Sequence, residues 1–191
     1  MTRGFIKSTR GRYVAVLDPV ERGLLRSLAD QVMDLVAPEE PAAAPDPLAE
    51  LVGWVDPDTP VSAPSDPAMA RLFPDAYRDD AEASADFRRY TEGDLRREKL
   101  ARAQRVHARV ESDADGDVSV SLDEAEVPDW LGFLNDVRLI LGTRLDITED
   151  WQESGIDESA PNAQLYFLYD WLTYLQETLV QSMLDAPNPY E

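Results

Sequence analysis

The chain has 191 residues, of which 38 are acidic and 18 are basic, so its formal net charge at pH 7 is −20. Such an excess of negative charge favours solubility and repels nucleic-acid phosphates and anionic lipids. The absence of cysteine excludes disulfides, zinc–thiolate sites and thiol redox switching. No apolar run is long enough to predict a membrane span, and no secretory signal begins the sequence. We therefore expect a cytoplasmic protein with a single domain over residues 1–191.

The first 37 residues predict a β-hairpin followed by a helix. Short strands at 5–7 and 12–17 flank a turn that contains Gly11, so residues 1–17 predict the hairpin. Asp18 and Pro19 then supply a helix N-cap and a proline at the first helical position, and Pro38 ends the helix. The predicted apolar stripe of this helix consists of Val20, Leu24, Leu28, Val32 and Leu35.

The middle of the chain predicts a loop region followed by helices. Residues 38–67 are rich in proline and acidic residues and predict an exposed loop, with a short helix expected at 48–55. Further helices are expected at 67–72, 76–91 and 92–110. The apolar stripe of the last one consists of Leu100, Ala103, Val106 and Val110.

The last third predicts one strand and two helices. Residues 118–122 alternate strictly between apolar and polar side chains, as a half-buried strand does, and a strand at 117–122 is expected to join the hairpin. A C-terminal helical core over 128–183 follows, with helices at 128–141, stopped by Gly142, and at 161–183. The predicted fold class is mainly α: a single helical domain with a small N-terminal antiparallel hairpin or three-stranded sheet.

Residues 113–124, DADGDVSVSLDE, differ by one residue from a calcium-binding EF-hand loop. The acidic positions 1, 3, 5 and 12 are filled by Asp113, Asp115, Asp117 and Glu124. Position 6 requires a positive φ, which glycine adopts freely, but it is occupied by Val118. Pro128 also falls where the exit helix of an EF-hand is already under way. We therefore favour an acidic turn that enters a strand, with a calcium-binding module as an alternative, and assign no metal ligand.

No group of residues points to catalysis. His107 is the only histidine, so neither a Ser-His-Asp arrangement nor a zinc site is indicated. Carboxylates are too numerous for one pair to stand out as a general acid and base, and no Gly-rich phosphate loop occurs. We expect a protein that is not an enzyme and that uses no cofactor.

The C-terminal third predicts a protein-binding surface. Arg138 and Arg144 are the only cations after Glu111, and they belong either to a buried ion-pair or capping network or to a docking surface. Helix 161–183 is apolar almost all round, so it is either the central helix of the fold or a dimer or partner interface. The candidate partner-binding residues are Arg138, Arg144, Tyr169, Trp171 and Tyr174.

Direct DNA binding is the second hypothesis. Four cations of helix 92–110 fall within a sector of about 120° beside its apolar stripe. Such a face contacts phosphates, together with the basic hairpin, or contacts the chain's own acidic C-terminal half, or is simply solvated. The candidate residues are Arg10, Arg12, Lys99, Arg102, Arg105 and Arg109.

Three stretches, RGFIKSTRGRYVAVLDPVERGLLRSL (3–28), WLGFLNDVRLILGTRL (130–145) and YFLYDWLTYLQETLV (166–180), resemble a family of actinobacterial proteins. The family was long known only as a domain of unknown function, and its members are labelled AosR-type oxidative-stress transcriptional regulators. The resemblance implies regulation of stress genes together with a σ factor of RNA polymerase, and a gene neighbourhood that includes a Clp-protease adaptor. Redox sensing in the family is attributed to a cysteine pair, which this chain lacks.

The leading hypothesis combines these observations. We expect a non-enzymatic regulatory protein that acts through protein–protein contacts, with a σ factor, RNA polymerase or a component from the Clp-adaptor neighbourhood as the partner that the resemblance implies. A homodimer is an alternative use of the same surface, and no membrane association is expected.

Overall fold

The computed structural model describes residues 3–37, 62–111, 115–148 and 161–184. The predicted fold class is confirmed, because these ranges contain five helices and one small antiparallel sheet. The elements in chain order are β1 (Arg3–Lys7), β2 (Tyr13–Leu17), α1 (Pro19–Val36), α2 (Pro67–Leu72), α3 (Ala81–Val110), β3 (Val118–Leu122), α4 (Val127–Arg144) and α5 (Ala163–Leu184). The short helix predicted at 48–55 and most of the predicted loop region lie outside the described residues.

The sheet has the order β1–β2–β3, and both pairs of neighbours are antiparallel. Gly11 adopts a φ of 73° in the hairpin turn, as its predicted role requires. The predicted third strand is confirmed, since β3 pairs with β2 along its whole length, from Tyr13 opposite Leu122 to Leu17 opposite Val118. Val118 is therefore in extended backbone and not at the sharp turn of an EF-hand, whose first position, residue 113, lies outside the described residues.

Helix α1 packs against α3, and its buried face overlaps the predicted stripe only in part. Val20 is 70% exposed and Leu24 is 39% exposed, so the predicted stripe is wrong at these two positions. Each of the two helices fully buries an alanine, Ala29 in α1 and Ala103 in α3. The apolar residues that α1 buries are Leu25, Leu28, Ala29, Val32 and Val36.

A reciprocal capping box starts α1. The Glu21 N–H donates to Asp18 Oδ1 over 2.9 Å, and the Asp18 N–H donates back to Glu21 Oε2 over 2.8 Å. Glu21 is largely buried, and this burial is the main cause that raises the pKa of its carboxyl. The hydrogen bond from the Asp18 N–H lowers the pKa, but by less than burial raises it, and the negative charges of Asp18 and Asp117 raise it further. The cap is therefore held by a carboxylate that is costly to ionise.

Replacing Glu21 by glutamine is expected to raise the melting temperature at pH 7. The amide keeps the cap, and it removes a negative charge whose pKa is higher in the folded chain than in the unfolded chain. That charge costs stability above the folded pKa and costs nothing below the unfolded value of about 4.3. Thermal melts of both proteins between pH 7 and pH 4 should therefore converge as the pH falls, and a constant difference would contradict the assignment.

Helix α3 is a single helix of 30 residues, whereas the sequence predicted two helices, at 76–91 and 92–110. It begins at Ala81, where the Asp80 side chain accepts the Ala83 N–H as an N-cap. The predicted break is bridged by ion pairs one turn apart, because Glu92 binds both Arg88 and Arg96. Without a proline near residue 91, nothing interrupts the helix.

Helix α4 runs past Gly142, so the predicted stop at that residue is wrong. The helix ends at Arg144, and the left-handed position is taken by Asp146, with a φ of 54°. The Ile147 N–H donates to the Gly142 carbonyl and the Asp146 N–H to the Thr143 carbonyl, over 2.8 and 3.3 Å. These two bonds form a Schellman motif, which satisfies the last carbonyls of the helix.

Helix α5 packs between α4 and the edge strand β1. Its buried apolar residues are Ala163, Leu172, Leu175 and Leu179. Two of its polar side chains complete the open edge of the sheet, since Tyr174 Oη accepts the Gly4 N–H over 3.2 Å and Thr178 Oγ1 accepts the Phe5 N–H over 3.1 Å. Within the described ranges, no helix combines the length and the apolar character needed to cross a membrane.

Candidate partner-binding surface

The basic face predicted on α3 is turned towards α4 and meets a buried carboxylate there. Asp136 is 3% exposed, and it accepts from Lys99 Nζ over 2.6 Å and from Arg102 Nη1 over 3.4 Å. Gly132 lets the Arg102 side chain cross α4, because a β-carbon at this glycine would lie 2.5 Å from the guanidinium carbon. Two of the predicted DNA-binding residues are therefore part of the helix interface.

The same face continues with two further ion pairs near the start of α4. Arg105 binds both carboxylate oxygens of Asp129, over 2.5 and 2.7 Å, and Arg109 pairs with Glu126. The hydrogen bond to Asp129 raises the pKa of Arg105 most, and the small burial of its guanidinium lowers it. The four α3 cations that were predicted to contact DNA thus each pair with a carboxylate on α4 or immediately before it.

The two hairpin arginines differ in their surroundings. Arg10 is exposed at the hairpin turn. Arg12 donates from Nε to Ser121 Oγ over 2.7 Å and from Nη2 to the Ser121 carbonyl over 2.8 Å, and it lies 3.6 Å from Glu126. Arg12 therefore ties β3 to the hairpin, and DNA contact by any of the six basic candidates stays a prediction.

The structure brings Arg138, Tyr169 and Tyr174 close together at α5, but not Trp171 or Arg144. Arg138 reaches from α4 to α5, where its guanidinium lies 5.2 Å from the centre of the Tyr169 ring. Tyr174 supplies its hydroxyl to β1 while its side chain stays 43% exposed. Arg144 is exposed and lies elsewhere, in a separate groove of about 360 Å³ between α1 and α4.

An apolar groove of about 450 Å³ lies between α1 and the first half of α5. We call it the α1–α5 groove; it is lined by Leu24, Gln164, Leu165, Phe167, Leu168 and Trp171. Leu24 is 39% exposed, Leu165 42% and Phe167 51%, so the apolar lining is open to solvent. Of the predicted partner-binding residues, only Trp171 belongs to this groove.

Sequence reasoning missed Leu24 and Phe167 as surface residues. It assigned Leu24 to the core stripe of α1, and nothing in the spacing of α1 shows which of two adjacent rows faces α3. The excess of apolar residues in α5 did signal an exposed face, and six of them, Leu165, Phe167, Tyr174, Val180, Met183 and Leu184, are more than one-third exposed. Helix α5 buries one face in the core and exposes apolar residues on another. Its sequence therefore fitted both a central helix of the fold and a partner interface.

Comparison with known proteins identifies the family. The model of a domain of unknown function, DUF2017, matches residues 1–183. The chain belongs to the DUF2017 family. Two relatives of this DUF2017 chain, from Mycobacterium tuberculosis (strain H37Rv) and Mycobacterium bovis, carry the name oxidative stress regulator AosR. Each is 31% identical over 185 residues, which cover 92% of this chain and 84% of the relative. The predicted family resemblance is therefore confirmed. No solved structure matches the chain.

Proposed function

We propose that this chain is a regulator in the response to oxidative stress, and that it acts by binding another protein at the α1–α5 groove. The observation that carries the proposal is an open apolar groove on a chain of net charge −20. Contiguous apolar surface that is exposed to water often marks an interaction site, because a partner that covers it removes an unfavourable contact with water. The names of the mycobacterial relatives support the regulatory role.

The partner that fits this groove presents apolar residues flanked by basic ones. Helix α5 contains no lysine, arginine or histidine, and its only charged residues are Asp170 and Glu177. The chain as a whole therefore attracts a cationic partner, while the groove supplies the apolar contact area. A σ factor or another subunit of RNA polymerase is the partner we propose, in the cytoplasm and without catalysis by this chain.

Direct DNA binding has less support. Lys99, Arg102 and the two arginines that follow on the same face hold α3 against α4 through carboxylates, so contact with phosphates would first have to break these pairs. The net charge of −20 adds long-range repulsion. The chain also has no cysteine, so we propose that a stress signal reaches it by a route other than thiol oxidation.

A photo-crosslinking amino acid at Phe167 is expected to trap a σ factor or polymerase subunit in peroxide-treated cells of the source. Phe167 is half-exposed in the α1–α5 groove, so the substitution should leave the fold intact. The matched control carries the same amino acid at Tyr90, which is 64% exposed on α3. Leu24→Ser combined with Phe167→Ser should weaken binding about tenfold or more, since buried apolar anchors dominate interface energies.

The outcome at the control position decides the interpretation. Equal trapping from Tyr90 would mean that the crosslink reports proximity only. An unchanged stress-gene response in cells that carry the double serine variant would contradict the proposed use of the α1–α5 groove, provided that the purified variant melts as the unmodified protein does.

A further inference from the structure

Among the described residues, no carboxylate forms an ion pair with Arg138, in a chain that has about two acidic residues for each basic one. Within the described ranges, its hydrogen bonds go only to neutral side chains: Thr173 Oγ1 at 2.9 Å, Gln176 Oε1 at 2.8 Å and Tyr169 Oη at 3.4 Å. The half-buried arginines of α3 behave differently, since Arg96 and Arg102 each lie within 3 Å of a carboxylate oxygen. Within the part of the chain that the structure describes, the charge of Arg138 is therefore not paired with a carboxylate at ion-pair distance.

The position of Arg138 is fixed by its neutral contacts. Each nitrogen of the guanidinium donates one hydrogen bond to α5, and the Tyr169 ring lies against the group. A guanidinium has five N–H groups, so one remains on each Nη nitrogen. A carboxylate has two oxygens that can accept from these two N–H groups, and a side chain that is already ordered loses little entropy on binding.

Arg138 of α4 and the second half of α5 line a groove of about 620 Å³. The groove is separate from the α1–α5 groove in its lining, and its apolar members include Tyr174 and Val180, which are 43% and 44% exposed. Glu177 also lines it. Because of that carboxylate and the net charge of −20, a single negative charge is tolerated better than a dianion or a polyanion.

We propose that Arg138 binds an aspartate or glutamate side chain of the partner protein, in the groove formed with Thr173, Tyr174 and Gln176. This inference rests on the proposed function. It adds one specific contact, between Arg138 and a partner carboxylate that is surrounded by basic and apolar residues of the partner. The positive residues around that carboxylate offset the repulsion by the acidic surface. The neighbouring Tyr174 and Val180 supply apolar contact at the same point.

The test follows the Nε–Hε signal of Arg138 by NMR in the full-length protein. The probes are the peptide acetyl-Lys-Leu-Glu-Leu-Lys-amide and the same peptide with glutamine in place of glutamate, titrated at constant ionic strength. We expect the glutamate peptide to shift the signal saturably, with a Kd about tenfold or more below that of the glutamine peptide, since the two-point charged contact is lost in the second. Equal Kd values would overturn the proposal.

Variants and small anions complete the experiment. Binding to the variants is followed by the backbone amide signals of α5. Arg138→Gln should lose the preference for the glutamate peptide, and Arg138→Lys should keep only part of it, because lysine retains the charge but lacks the planar fork. Arg144→Gln removes the same charge elsewhere in the acidic half and should keep the preference. Acetate or methyl phosphate that binds as tightly as the glutamate peptide would overturn the assignment to a partner protein and indicate a small-anion site.

This experiment and the crosslinking experiment fail independently. A partner trapped at Phe167 whose affinity does not change on Arg138→Gln would overturn the carboxylate contact and leave the proposed function standing. A glutamate-dependent shift of Arg138, with no partner trapped at Phe167, would support the carboxylate site and contradict the proposed use of the α1–α5 groove.

Discussion

Replacing Asp136 by asparagine is expected to lower the free energy of unfolding by about 3 kcal/mol, because two cations at the α3–α4 interface lose their shared counter-charge. The Asp136 side chain is 4% exposed, and those of Lys99 and Arg102 are 14% and 16% exposed. Solvent therefore compensates poorly for the missing carboxylate charge. The loss should appear as a lower midpoint of urea unfolding with an unchanged slope.

Asp129→Asn is the matched control for this change. Asp129 also lies on α4 and also binds a cation of α3, but the Arg105 side chain is 55% exposed. Exposed ion pairs contribute about 1 kcal/mol or less, so this variant should unfold close to the unmodified protein. If Asp136→Asn were no more destabilising than Asp129→Asn, the buried ion pairs would not be what holds the two helices together.

Gly4→Ala is expected to cost about 2–3 kcal/mol, because it forces α5 away from the edge of the sheet. A β-carbon at Gly4 would lie 2.5 to 2.8 Å from three atoms of the Thr178 side chain, closer than atoms approach without bonding. If strand and helix separate, the hydrogen bonds from the Gly4 and Phe5 N–H groups to Tyr174 and Thr178 lengthen as well. Calorimetry of the variant should show the lowered melting temperature.

Gly23→Ala controls for the general effect of adding a methyl group to a glycine. Gly23 lies inside α1, and a β-carbon there would meet nothing within 4 Å. Alanine is favoured over glycine in a helix by about 0.5–1 kcal/mol, so this variant should be more stable than the unmodified protein. Destabilisation by both changes would show that the close contact of Gly4 with α5 is not the cause.

Local signals in the sequence were sufficient for much of the fold. The hairpin with Gly11 at its turn, the start of α1 at Pro19 and the alternating strand β3 all follow from the chemistry of neighbouring residues. The stripe of α3 was also predicted: Ala103, Val106 and Val110 are buried in it. These features depend on contacts within a few residues, so their patterns are visible without the tertiary structure.

The errors have one physical origin, which is competition between equivalent local solutions. Gly142 and Asp146 both allow α4 to end, and the hydrogen bonds of the last turn select Asp146. Helix α1 has more apolar residues than it can bury, and tertiary packing buries Leu25 and Ala29 while it leaves Val20 and Leu24 exposed. Propensity alone does not distinguish such alternatives, because their energies differ only through partners distant in the sequence.

The sequence by itself determined the family, the mainly helical class, the acidic charge and the absence of thiol chemistry. Only the tertiary structure decided which charged side chains form ion pairs within the molecule. It places Lys99 and Arg102 against Asp136, whereas Arg138 contacts only neutral side chains among the described residues. The reason is that the electrostatic energy of a charge depends on distances to groups far along the chain, and a sequence pattern does not contain those distances.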